Sequence, residues 1–151
     1  MAANLNADDK FAIYDVIARY ARALDTADAE GYAALFAPNG EVEISGARYK
    51  GREAIAAYIK RLTSVETWPG IRHHNTQIMF EKGDGQRCEV SSYNMIMFRR
   101  RDGSVESRQQ GFYRDVFVKL DGLWYFEERV WEEWDMDNMA KYRPAPREVK
   151  A

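Results

Sequence analysis

The order of its hydrophobic patterns makes this chain an α+β domain, with helices first and a long, curved antiparallel sheet after them. Two observations carry that reading. Apolar residues recur at spacings of three and four through the first part of the chain. Four long stretches then read as strands, separated by Lys82-Gly83-Asp84-Gly85, Asp102-Gly103 and Asp121-Gly122. Such turn sequences supply residues comfortable at positive φ and mark hairpins.

Each element has its own signal. From about Asp8 to Leu24, the residues Ile13, Val16, Ile17, Tyr20 and Leu24 share one helical face. Asp8 and Asp9 suit its start, where carboxylates accept unpaired backbone N–H groups. A second, short helix is expected from Asp28 to Phe36, followed by a turn at Pro38-Asn39-Gly40. Glu41-Val42-Glu43-Ile44 alternates as a half-buried strand does, and Ser45-Gly46 breaks it. A third helix starts just after Gly51 with Ile55, Ile59 and Leu62 on its buried stripe, and the loop at Trp68-Pro69-Gly70 closes it. Strands at about 71–81, 86–99, 105–119 and 123–133 then form a meander. On the strand 105–119, Tyr113 and Phe117 share one face while Phe112, Val116 and Val118 occupy the other. One face meets the helices; the other is expected to be covered by a second subunit, giving a homo-oligomer, dimer or trimer. Residues 1–134 read as one domain and 135–151 as a charged arm carrying Pro144 and Pro146, loose unless it packs on something.

Composition excludes several functional classes. A chain of 151 residues suits a single core. With 46% hydrophobic and 30% charged residues it is too apolar for disorder. A net charge of −2 argues against gripping nucleic acid through a basic face. The single cysteine, Cys88, rules out an internal disulfide and fits a reducing, cytoplasmic setting. MAANLNADDK lacks the basic and apolar stretches of a secretory signal. No run approaches the roughly 18 apolar residues of a membrane span. Aromatics reach 13%, whereas the only two histidines, His73 and His74, are neighbours.

Few residues offer chemistry. The chain has no Gly-rich phosphate loop after a strand, no CxxC and no GxSxG. Asp135-Met136-Asp137 lacks the later ligands of a calcium loop. Adjacent strand residues point to opposite faces, so His73 and His74 do not easily share an ion, and no metal is expected. Arg99-Arg100-Arg101 abuts the Asp102-Gly103 turn and reads as a solvated hairpin tip. Asp25 lies one residue past Leu24 and five after Tyr20, within about 140° of that tyrosine around the helix. Spacing alone favours Asp25 as a cap of the next helix, together with Thr26 or Asp28. His73 alone is as often a satisfied, partly buried histidine as a catalyst. Arg129, among Phe126, Val130 and Trp131, reads equally as a surface residue whose stem covers apolar area.

Five segments in order carry a resemblance: RYARALDTADAEGYAALFAPNG, YKGREAI, IRHHNTQI, GFYRDVF and DGLWYFEER. The chain resembles SnoaL-like proteins of the nuclear transport factor 2-like superfamily, over roughly Asp8 to Trp134. That likeness implies a cone-shaped, cystatin-like sheet closed by three helices. Within the superfamily it looks most like the branch of scytalone dehydratase, bile-acid dehydratase and hexachlorocyclohexane dehydrochlorinase. Asp25 and His73 match that branch's aspartate and histidine, and Arg129 matches an arginine on the last strand of some members. Tyr20 resembles the tyrosine of the bile-acid dehydratase. Gln77 stands where the family often has an asparagine, so the local hydrogen bonds are expected to differ.

The resemblance implies a mechanism these residues can support. Histidine side chains titrate near pH ~6.5, which makes them bases at neutral pH. Asp25 would orient His73, and His73 would take a proton from carbon, while Tyr20 or Arg129 stabilises or protonates the departing oxygen. That is elimination without a cofactor, by a dehydratase-like lyase. Trp68, Tyr113, Tyr49, Trp131 and Met97 are the expected pocket lining, suited to an apolar, ring-bearing small molecule. The same pocket would also suit an isomerase, an aldol cyclase or a retro-aldol lyase. The fold equally hosts non-catalytic ligand-binding modules and dioxygenase small subunits. His74 is expected to point away from the chemistry.

Overall fold

The computed structural model describes residues 4–146. Its first helix, α1 (Ala7–Asp25), buries the stripe of Ile13, Val16, Ile17, Tyr20 and Leu24. Asn6 caps it, its side chain accepting from the Asp9 amide at 2.7 Å. Asp9, expected to serve the helix start, is instead buried and reaches the far hairpin. Its carboxylate accepts from Lys119 Nζ at 2.8 Å and Trp124 Nε1 at 2.7 Å. The short α2 (Ala29–Ala34) is capped by Asp28, which accepts from the Gly31 amide at 2.9 Å. The third helix, α3 (Arg52–Leu62), buries Ile55, Ala56 and Ile59.

Six strands follow or interleave: β1 (Phe36–Ile44), β2 (Ala47–Lys50), β3 (Ile71–Gly83), β4 (Arg87–Arg99), β5 (Val105–Leu120) and β6 (Leu123–Glu133). They form one curved sheet in the order β2-β1-β6-β5-β4-β3. The meander β3 to β6 is antiparallel throughout, and β1 joins it parallel to β6. Asp121 and Gly122, at φ 49° and 83°, make the tight β5–β6 turn that their sequence signals.

Two local expectations are corrected. Pro38-Asn39-Gly40 does not reverse the chain; it is a bulge inside β1, where the pairing with β6 shifts register between Phe36 and Glu41. Proline has no N–H to give the ladder, and a bulge is where a strand tolerates it. Ser45-Gly46 does more than end a strand. Both residues take positive φ (50° and 83°) and fold β2 back onto β1.

The helices pack on the concave face, where Tyr113, Phe117, Phe126 and Trp131 join them in one core. On the opposite face, Phe112 is buried. The chain's own arm covers it: the Tyr142 ring lies 4.8 Å from that of Phe112 and stacks on Trp134 at 4.0 Å. The arm forms a 3₁₀ turn at Met139–Tyr142, and its residues 147–151 lie outside those described. Among the described residues, no helix is long and apolar enough to cross a membrane.

Candidate active site

A cavity of about 440 Å³ opens between the concave face of the sheet and the helices. Trp68, His73, Tyr20, Tyr113 and Trp131 are among its walls. The two-residue period of β3 turns Ile71 and His73 inward and sends Arg72 and His74 outward, where both are exposed.

The end of α1 meets β3 at this wall. Asp28 takes the cap of α2, so Asp25, the last residue of α1, is free for another partner. Its carboxylate accepts the His73 backbone N–H at 3.1 and 3.2 Å, and its Oδ1 lies 2.6 Å from His73 Nδ1. The two side chains are only 12% and 6% exposed, so water competes little for this bond. A carboxylate at Nδ1 holds the proton on that nitrogen and leaves Nε2 as the free base. His73 Nε2 has no hydrogen-bond partner among the described residues. Trp68 braces the corner, donating from Nε1 to the Leu24 carbonyl at 2.9 Å with its ring centroid 5.9 Å from that of His73.

A cluster of phenols forms another part of the wall. Tyr32 donates to the Tyr20 hydroxyl at 2.7 Å, and the hydroxyls of Tyr20 and Tyr113 lie 3.4 Å apart. Burial pushes all three well above the ordinary phenol range, so they are neutral hydrogen-bond donors at neutral pH. Trp131 is held by a chain of amides. Its Nε1 donates to Asn94 Oδ1 at 3.0 Å, and Asn94 Nδ2 donates to Asn75 Oδ1 at 3.1 Å.

Arg129 requires correction on both of its sequence readings. It is fully buried, hence no surface residue, and it stands behind the cavity wall without lining it. Its guanidinium carbon lies 3.6 Å from the Tyr113 ring centroid and 4.0 Å from that of Tyr20. The two rings stand between it and the cavity, so it bears on the site through the tyrosines. Its ion partner is Asp115, with Nε to Oδ1 at 3.5 Å, and neither side chain makes a hydrogen bond.

Burial pushes the Asp115 carboxyl up to about 7, with Arg129 pulling the other way. The sign of the pH effect follows. A folded value raised above the unfolded ~3.9 gives stability that is fully present below that unfolded value and lost as pH rises to about 7. The change is at most about 4 kcal/mol. Asp115→Asn should therefore flatten the urea-unfolding stability between pH 4 and 8 and be no less stable than wild type at pH 8. A loss of roughly 3 kcal/mol or more at pH 8 would mean an ionised carboxylate that the arginine needs.

Two further lining expectations are corrected. Met97 lies on the outer face: it pairs with the outward Arg72 of β3, while its neighbour Ile96 pairs with the inward His73 and faces the cavity. Tyr49 stacks on Tyr58 at 4.1 Å, and Tyr58 makes the wall. Sequence reasoning missed Tyr32, Tyr58, Ile96 and Gln109. A signal existed only for Tyr58, three residues after Ile55 and four before Leu62 on the buried stripe of α3. Gln77 adopts a positive φ of 47° at a β3 bulge, a conformation asparagine takes more readily.

Among the described residues, no group of three or more His, Cys, Asp or Glu side chains is placed to hold a metal ion. A family model of the SnoaL-like domain matches residues 6–130. The fold recurs in a protein of unknown function from Mycobacterium tuberculosis, 25% identical, with 88% of this chain and 80% of that one covered at a TM-score of 0.78. It recurs in an NTF2-like protein with a cystatin-like fold from Novosphingobium aromaticivorans, 26% identical over 89% of this chain and 88% of that one, TM-score 0.77. A protein from the same organism, provisionally named a scytalone dehydratase, is 25% identical over 84% of this chain and 85% of that one, TM-score 0.71. No curated protein matches the chain.

Proposed function

The chain belongs to the SnoaL-like family, which includes polyketide cyclases and dehydratases, and on that footing we propose that it is a cofactor-independent, dehydratase-like lyase of hydrophobic, ring-bearing small molecules. One observation carries the proposal: the 2.6 Å contact of Asp25 Oδ1 with His73 Nδ1 in the wall of an aromatic cavity. The cavity's volume falls within the roughly 300–1,000 Å³ of small-molecule sites.

In the proposed reaction, His73 Nε2 takes a proton from a carbon beside a carbonyl. Asp25 stabilises the imidazolium so formed. The neutral Tyr20 hydroxyl, itself held by Tyr32, donates a hydrogen bond to the oxygen on which charge develops. The imidazolium then returns its proton to the departing hydroxide. A C–H and a C–O bond break, a C=C bond forms and water leaves.

The test is a panel of cyclic β-hydroxy carbonyl compounds, followed by the ultraviolet absorbance of the conjugated product. Asp25→Asn should lower kcat by on the order of 10²–10⁴ with KM little changed. Undiminished turnover in that variant would overturn the dyad.

A further inference from the structure

A second hollow, of about 660 Å³, lies beside the cavity. Thr67, Pro69 and Gly70 form one bank, continuous in sequence with Trp68 in the cavity wall. Phe98 and the arginines 99, 100 and 101 form the other, and Arg72 faces them. Arg108 bridges the two spaces: it lines the cavity, and its guanidinium carbon lies 4.3 Å from the ring centroid of Phe98.

The charge of this groove stands out against the chain's net charge of −2. Arg100 is neutralised by Glu106, with contacts of 2.9 and 3.0 Å. Asp102 turns its carboxylate to Ser104. Arg99 and Arg101 form no ion pair among the described residues. Arg72 is held to the turn by donating to the Pro69 and Ile71 carbonyls. Three unneutralised guanidiniums therefore face one acidic wall residue, Glu66. A net of two positive charges, presented as planar donor forks, suits a dianionic phosphate.

We propose that this groove binds a phosphate-bearing extension of the substrate whose ring occupies the cavity. The proposal deepens the lyase reading and rests on it for the ring. Arg99-Arg100-Arg101, which reads in sequence as a solvated hairpin tip, thereby becomes a specificity element at the mouth of the site.

Three probes test it on the full chain. Pyrophosphate followed by amide NMR should shift Gly70 and residues 99–101, and the double variant R99Q/R101Q should weaken it by roughly tenfold. 2-Naphthol should bind wild type and variant equally. Naphthol joined through a flexible hexyl chain to a terminal phosphate should bind about tenfold tighter than naphthol, with that gain lost in the variant. Pyrophosphate shifts that are absent, scattered over other basic residues or unchanged in the variant would overturn the groove. A tethered phosphate no tighter than naphthol would mean that the anion is a separate ligand and not a substrate tail. Failure of 2-naphthol to bind would overturn the cavity reading and the link between ring and phosphate, an outcome distinct from failure of the pyrophosphate arm.

Discussion

His73→Ala is expected to lower kcat by at least about 10³-fold while leaving the fold intact. The two halves of this expectation have separate causes. Turnover falls because, among the described residues, no other base stands in the cavity wall: its tyrosines are neutral, and Arg108 has no basic lone pair at neutral pH. The fold survives because the His73 side chain supplies one of the three contacts to Asp25. The other two come from the residue 73 backbone N–H and persist in the variant. Circular dichroism and the thermal midpoint should then stay near wild type, and 2-naphthol should still bind. Added imidazole should restore part of the activity by filling the vacated space. A variant retaining activity within tenfold of wild type would remove His73 from the mechanism.

The sheet was more legible in the sequence than the site, for reasons that individual residues show. Asp121-Gly122 encodes its turn locally, since only a few residue types tolerate two positive φ values in succession. Pro38 encodes only a missing donor. Whether the chain turns or bulges there depends on β6, some ninety residues later, which pairs with both ends of β1. Asp25 shows the same division. Its spacing fits a helix cap as well as a dyad, and the choice rests on Asp28 taking the cap while β3 delivers His73 from far along the chain. Which of Ile96 and Met97 faces the cavity is settled by their pairing with His73 and Arg72 on β3, which no local pattern shows, and a one-residue slip exchanges the two faces. Arg129 was the least readable. A lone arginine in a strand reads as a snorkelling side chain, and nothing nearby in sequence announces that Tyr20, Tyr113 and Asp115 will enclose it. Family resemblance raised Asp25 and His73 above their local readings, whereas Tyr32, on a helix too short to show a period, was left unnoticed.

Gly111→Ala should destabilise the protein by about 3 kcal/mol and reshape the cavity, although it adds a single methyl group. A Cβ built on Gly111 would lie 2.2 Å from Trp131 Nε1 and 2.5 Å from Cε2, so the indole must move. Moving it breaks the donation to Asn94 Oδ1, whose residue is 1% exposed and has no water to turn to. Overpacking contributes ~1–3 kcal/mol and the unmet buried acceptor a similar amount. For a chain of this size the thermal midpoint should fall by roughly 6–12 °C. Trp131 also lines the cavity, so 2-naphthol affinity should drop as well. Trp131→Phe tests the link, because phenylalanine lacks the Nε1 atom that both meets the new methyl group and donates to Asn94. The donation to Asn94 is lost in each single variant but only once in the double variant, so it adds to the coupling. The double variant should be more stable than the sum of the two single losses by about 2–3 kcal/mol, most of the cost of Gly111→Ala alone. Simple additivity would mean that the indole does not lean on the backbone at Gly111, and that the cavity wall is set elsewhere.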